Sequence, residues 1–182
     1  LLVYGHPESN SDGNDAYFGP LMRERPDLIR ILHTDCGLLR AKNLIVDGRT
    51  FSLHGFGSIV SAITLPFFRW QPKVHGQSAD ILWLIRRAAA KENATASAAM
   101  TYWQSICQRR WLQHCLPQIV IWPWENHSWE RELVRDANAL GIKTVGYQHA
   151  TFGTQERNHS VASCPDATES IPSQIICTGK YW

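Results

Sequence analysis

With 182 residues, 44% of them apolar and 19% charged, the chain is long enough to bury the core of one domain, which excludes disorder as the default. A formal charge of +2 and a pI near 8.4 are too mild for a nucleic-acid groove, which needs a clustered basic face. Five cysteines (Cys36, Cys107, Cys115, Cys164 and Cys177) make an odd count with no C-x-x-C pair, so reduced, buried thiols in a cytoplasmic protein are expected rather than a disulfide framework.

The first predicted element is a strand at Leu1 to Tyr4, followed by a polar loop, "GHPESNSDGND", whose Gly, Pro, Asn and Asp content stops regular structure. "AYFGPLMRERP" reads as a short helix closed by Pro26. A second strand is expected at Leu28 to His33 and a third at Leu44 to Val46, the latter with an irregular insertion as the alternative. Phe56 to Trp70, Ala79 to Lys91 and Ala94 to Cys115 read as helices, and residues 56–115 are a candidate helical subdomain. The most apolar window, Gly55 to Trp70, is too short for a bilayer, which takes roughly 20 residues. Arg86–Arg87 and Arg109–Arg110 are the local basic concentrations and read as solvated helix faces.

Strands "QIVIW", "KTVGY" and "SQIICTG" are short, rich in β-branched residues and bounded by turn signals. Between the first two, Trp129, Leu133, Ala137 and Leu140 make one apolar helix face, with Glu130, Arg131, Glu132, Arg135 and Asp136 elsewhere. Asn126 or Ser128 is the expected cap, and Gly141 supplies the positive φ that ends the helix. The unit is β-α-β. An α/β, Rossmann-like parallel sheet with helices on both faces is therefore predicted over a single domain, 1–182. "LLVYG" reads as a strand already under way and "TGKYW" as a helix about to start, so the chain is expected to belong to a longer protein.

In such sheets ligands bind beyond the carboxyl ends of the strands. "WENH", "YQHATFG" and "GHPESN" all lie at such ends. Glu125 emerges among aromatic residues, where desolvation suits a carboxylate to proton transfer; it equally fits a helix cap or an Arg partner. His149 fits a base or a donor to a phosphate or sugar oxygen, and also a ring fixed to neighbouring backbone. Gln148 can grip a sugar hydroxyl or bridge two loops. Asn126, Trp124, Thr151 and His6 complete the candidate substrate contacts, with Glu8 beside His6. Trp122, Trp124 and Trp129 offer indole faces to sugars or to the core. G-x-G-x-x-G, the P-loop, H-E-x-x-H and G-x-S-x-G are all absent, which leaves nicotinamide, P-loop, zinc-protease and serine-hydrolase chemistry without their motifs. No metal site is expected.

The stretch "PQIVIWPWENHSWERELVRDANALGIKTVGYQHATFG", with "IPSQIICTGKYW" after it, resembles the amino-terminal domain of bacterial surface-polysaccharide (capsule or lipopolysaccharide) glycosyltransferases of the GT-B type. There a strand ends in an acidic residue followed by a helix containing "ER", and the next strand ends in a "QHG"-like turn. Here Ala150 stands where glycine is usual. The resemblance implies one half of a two-domain enzyme, acting in the cytoplasm at or near the inner face of the membrane. It implies a nucleotide-sugar donor held mostly by a carboxy-terminal domain, a glycan or lipid-linked acceptor on this half, and peripheral membrane association. It further implies no metal or other cofactor, and Glu125 and His149 as catalytic residues. A polyol-phosphate transferase of the teichoic-acid type and a non-catalytic scaffold domain are the alternatives.

Overall fold

The computed structural model describes residues 1–34, 38–69, 71, 79–93, 95–149 and 167–177. Six strands are β1 (Leu2–Tyr4), β2 (Arg30–Thr34), β3 (Thr50–Ser52), β4 (Ile119–Pro123), β5 (Lys143–Gln148) and β6 (Gln174–Cys177). They form two three-stranded parallel sheets, β1-β2-β3 and β4-β5-β6. Strand β1 lies alongside β4, so the strands run 3-2-1-4-5-6 across the molecule. That is the doubly wound Rossmann-like order, in which the chain reverses its winding between β1 and β4.

Alternation along the strands builds a core on each face. Leu2, Ile31, Val120 and Trp122 point to one face, where they meet α5 (Ala96–Cys115) and α6 (Ser128–Ala139) through Cys107, Trp111, Leu112, Leu133, Val134 and Ala137. Leu1, Val3, Leu32 and Ile121 point to the other, against Met22 of α1 (Leu21–Glu24) and Leu44 of α2 (Leu38–Leu44). Ile121 of the second sheet packs into the core of the first, which ties the two sheets together.

Several expectations are corrected. Leu44 to Val46 is not a strand: α2 and a 3-10 turn at Ile45–Asp47 occupy it, Gly48 reverses the chain at φ 68°, and β3 follows at Thr50. The helix expected over Phe56 to Trp70 is divided. A 3-10 turn at Leu53–Phe56 precedes α3 (Ile59–Thr64), which Ser58 caps, and Pro66 lies in a second 3-10 turn at Leu65–Phe67. Helix α4 (Ala79–Glu92) and α5 match their expected spans, with Thr95 capping α5 through the Ala98 N–H. On α6, Leu140 is exposed and Glu130 is buried, the reverse of the periodicity argument. Gly141 has the expected positive φ, 70°. Cys107 is buried but Cys115 is exposed; both are free thiols, as is Cys177, while Cys36 and Cys164 lie outside the described residues. Arg109 is paired with Glu132 and Asp136 rather than simply solvated.

Candidate functional site

The winding reversal puts the ends of β1 and β4 side by side, and the loops leaving them diverge. From β4 the chain runs through Trp124, Glu125, Asn126 and His127 into α6. Its path is fixed from behind by Glu130. The Glu130 carboxylate, 1% exposed, accepts hydrogen bonds from the backbone N–H of Glu125 (3.2 Å) and Asn126 (2.9 Å) and from the Trp122 indole (3.1 Å). Burial raises its pKa, and these donors oppose that shift by favouring the charged form. Neither Asn126 nor Ser128 caps the helix. His127 occupies the cap position without a side-chain bond to the helix N–H groups, and the third helical residue, Glu130, reaches back past it. Asn126 adopts φ 60°, a left-handed conformation that Asn tolerates better than most residues, and its Oδ1 accepts from Arg131 Nε at 3.1 Å.

Held this way, Glu125 turns its own carboxylate outward, 41% exposed, between two imidazoles. Its Oε2 lies 2.8 Å from His127 Nε2, and its Oε1 lies 3.4 Å from His149 Nε2 at the end of β5. An ionised carboxylate only accepts, so a proton on each facing imidazole nitrogen satisfies the pair. His149 is 24% exposed, and its Nδ1 is buried without a hydrogen-bond partner among the described residues.

The loop after β1 supplies the opposite wall. The Tyr17 ring meets the His149 ring edge-on at 5.1 Å, and His6 meets Tyr17 at 6.0 Å. Arg30, fully buried in β2, holds this loop. It pairs with Asp15 (3.5 Å) and Asp47 (3.6 Å) and donates to the carbonyls of Asn10 and Asn14. Asp15 in turn accepts the Tyr17 N–H at 2.9 Å. The Tyr17 hydroxyl pKa is raised, first by burial and then by the charges of Glu125 and Asp15. Tyr4 is raised further by burial, with Glu130 and Glu125 adding to it.

The structure thus brings Glu125, His149 and His6 to one end of the sheet and adds His127 and Tyr17. Gln148 and Trp124 are buried, and Trp122, Trp124 and Trp129 all lie in the core, so none of these indoles is an open platform for a sugar. Asn126 is also buried and works within the loop. Glu8 donates its backbone N–H to His6 Nδ1. Thr151 and Ala150 lie outside the described residues. His127 was visible in sequence as the second neighbour of Glu125. Glu130 was visible as an acid at the third helical position, the place from which a side chain reaches back to orphan N–H groups. Tyr17 carried no signal.

Among the described residues no group of three or more His, Cys, Asp or Glu is arranged to hold a metal ion, and no helix is long and apolar enough to cross a membrane. Comparison with known protein families, curated proteins and solved structures finds no match to this chain.

Proposed function

We propose that this chain is the acceptor-side domain of a GT-B-type glycosyltransferase of bacterial surface-polysaccharide synthesis. The observation that carries the reading is Glu125: a carboxylate at the winding reversal, partly open to solvent and within 3.4 Å of His149 from the neighbouring strand end. Catalysis by a base needs a proton acceptor that the reacting hydroxyl can reach. Glu125 takes the proton of the acceptor hydroxyl as that oxygen bonds to the donor sugar's anomeric carbon. The bond from that carbon to the nucleotide phosphate breaks, and the phosphate leaves with its electron pair. His127 and His149 orient the carboxylate and contact substrate oxygens, with His6 and Tyr17 forming the facing wall. The nucleotide sugar is held mostly by a carboxy-terminal domain, and the acceptor is a glycan or a lipid-linked sugar.

The imidazoles beside Glu125 also favour a second reading, a polyol-phosphate transferase with histidine as the base and the carboxylate as its orienting partner. One experiment separates the two. The full-length enzyme is assayed against labelled nucleotide sugars and labelled nucleotide polyols, with Glu125→Gln and His149→Ala variants alongside. We expect sugar transfer, and a fall in kcat of at least about 10² for Glu125→Gln with the melting temperature preserved. Normal turnover in that variant would reassign Glu125 to a structural role, and transfer of polyol phosphate alone would establish the second reading.

A further inference from the structure

His33 is next to last in β2, at the carboxyl rim of the sheet, and its ring is buried without a part in the chemistry proposed above. Trp129, the second residue of α6, stacks on it at 3.6 Å between centroids, and Tyr4 at the end of β1 meets it at 85°. Neither ring nitrogen has a hydrogen-bond partner among the described residues. The titratable groups around it are Tyr4 on β1, His54 on the 3-10 turn at Leu53–Phe56 and His127 on the loop before α6. His54 accepts the Trp103 indole N–H at Nδ1 (2.9 Å), and His127 turns its Nε2 to Glu125. Both imidazoles act against a proton on His33, while the carboxylates of Glu130 and Glu125 bear on Tyr4.

A protonated imidazole carries a charge and two N–H donors, and both call for acceptors or water. Among the described residues none accepts from His33, so the charged ring is stable only where solvent reaches it. The rings over it belong to the rim: Tyr4 ends β1 and is half-buried, and Trp129 lies in the first turn of α6. Leu133, Val134 and Ala137 hold the rest of that helix in the core. Trp129 follows Glu125 by four residues and His127 by two, and Asn126 between those two is left-handed at φ 60°. Losing the Trp129 stack therefore loosens the segment that carries Glu125 before it disturbs the body of α6.

We propose that His33 is an acid-sensitive latch on the loop that carries Glu125. Neutral, the ring clamps Trp129 and with it the start of α6. On taking up a proton it leaves for solvent, the stack parts, and Glu125 loses its fixed place between His127 and His149. Mild acid thus opens the crevice locally, while the sheet and the body of α6 stay folded. The consequence for turnover rests on the reading of Glu125 as the working carboxylate; the opening itself does not, and it is measured without substrate.

The test is amide hydrogen exchange of the full chain by NMR at about pH 7.5 and about pH 5, with rates corrected for the intrinsic effect of pH. The amides to follow are Glu125, Asn126, Glu130 and Arg131, each hydrogen-bonded in the closed loop. Their opening is expected to be about thirtyfold more frequent at the lower pH, the factor by which an exposed imidazole of pKa 6.5 gains a proton that the buried ring refuses. Amides from Leu133 to Ala137 should keep their protection, and His33→Phe should bring the ratio at the loop close to one. An acid response that survives in His33→Phe overturns the proposal, because the Glu125–His127 pair would then be its source. Equal opening at both pH values in the wild type overturns it as well, and so does a loss of protection shared by the whole of α6. Should the Phe variant not fold, the ring nitrogens of His33 in the wild type decide. They must keep neutral chemical shifts down to about pH 5, and titration there with the loop still protected would refute the latch.

Discussion

Replacing His33 by Phe should make the stability of this fold less sensitive to acid. The His33 ring is 1% exposed, stacks on Trp129 at 3.6 Å between centroids and receives the edge of Tyr4. Neither of its nitrogens has a hydrogen-bond partner among the described residues. Burial lowers its pKa from 6.5 to about 3, and the nearby His54 and His127 push in the same direction. The unfolded chain therefore takes up a proton at this position below pH 6.5, while the folded chain does not until about pH 3. The stability tied to the neutral ring is complete above the unfolded pKa and is lost as pH falls through this window. The loss runs at about 1.4 kcal/mol per pH unit, or roughly 2 kcal/mol by pH 5. Phenylalanine keeps the stack, cannot be protonated and forfeits no hydrogen bond to the described residues, so at about pH 7.5 it should be neutral or slightly stabilising. Urea unfolding of both proteins at about pH 7.5 and about pH 5 measures the difference, in which groups titrating elsewhere cancel. The gap should widen in favour of the variant by about 2 kcal/mol at the lower pH. A gap of the same size at both values would refute the reasoning, because it would mean that His33 gains its proton in the folded state as readily as in the unfolded one.

Gly146 faces the start of the WENH loop: a Cβ there would lie 2.9 Å from Trp124 Cβ and Cγ and 3.0 Å from Pro172 Cγ. Gly146→Ala should cost about 1–3 kcal/mol by overpacking, and an unchanged urea midpoint would contradict it. Glu130→Ala should cost more than Glu130→Gln, about 3 kcal/mol or above, because it strands the Trp122 indole and two backbone N–H groups. In the Gln variant an amide oxygen at the Oε2 position can still accept from all three donors, with the NH2 replacing only the Oε1 share of the Glu125 N–H; equal melting of the two variants would show that the acceptors are immaterial.

The second half of the fold was legible because β4 and β5 are short β-branched runs joined by a helix with a clear start and stop. The β3 region was not. "NLIV" has the composition of a strand, but α2, entered from Leu38, ends within it and a 3-10 turn takes Ile45 and Val46, and the true strand is three residues with no pattern of their own. Glu125 and His149 could be placed together from sequence because both follow strands that one crossover makes neighbours. Tyr17 could not, since it reaches the site through Asp15, and Asp15 is held by Arg30 of another strand, a contact that no local pattern encodes. Tryptophans beside a strand end look alike whether they face a ligand or the core; composition left both open, and packing chose the core.

Glu130 went unread for a different reason, and it explains how the site divides its work. Helical periodicity sorts residues by which side faces solvent, but at a helix start the N–H groups without intrahelical partners make a demand that periodicity does not see. Two acids five residues apart meet opposite fates. Glu130 is buried with its lone pairs taken by three donors, so it fixes the path of the chain, including the left-handed Asn126. Glu125 is thereby turned outward with both oxygens facing imidazoles at the crevice. A carboxylate that held its own loop would have its oxygens occupied by backbone and could not also exchange a proton with a ligand. Moving that duty to Glu130 leaves the Glu125 carboxylate open at the crevice, where the proposed proton transfer requires it.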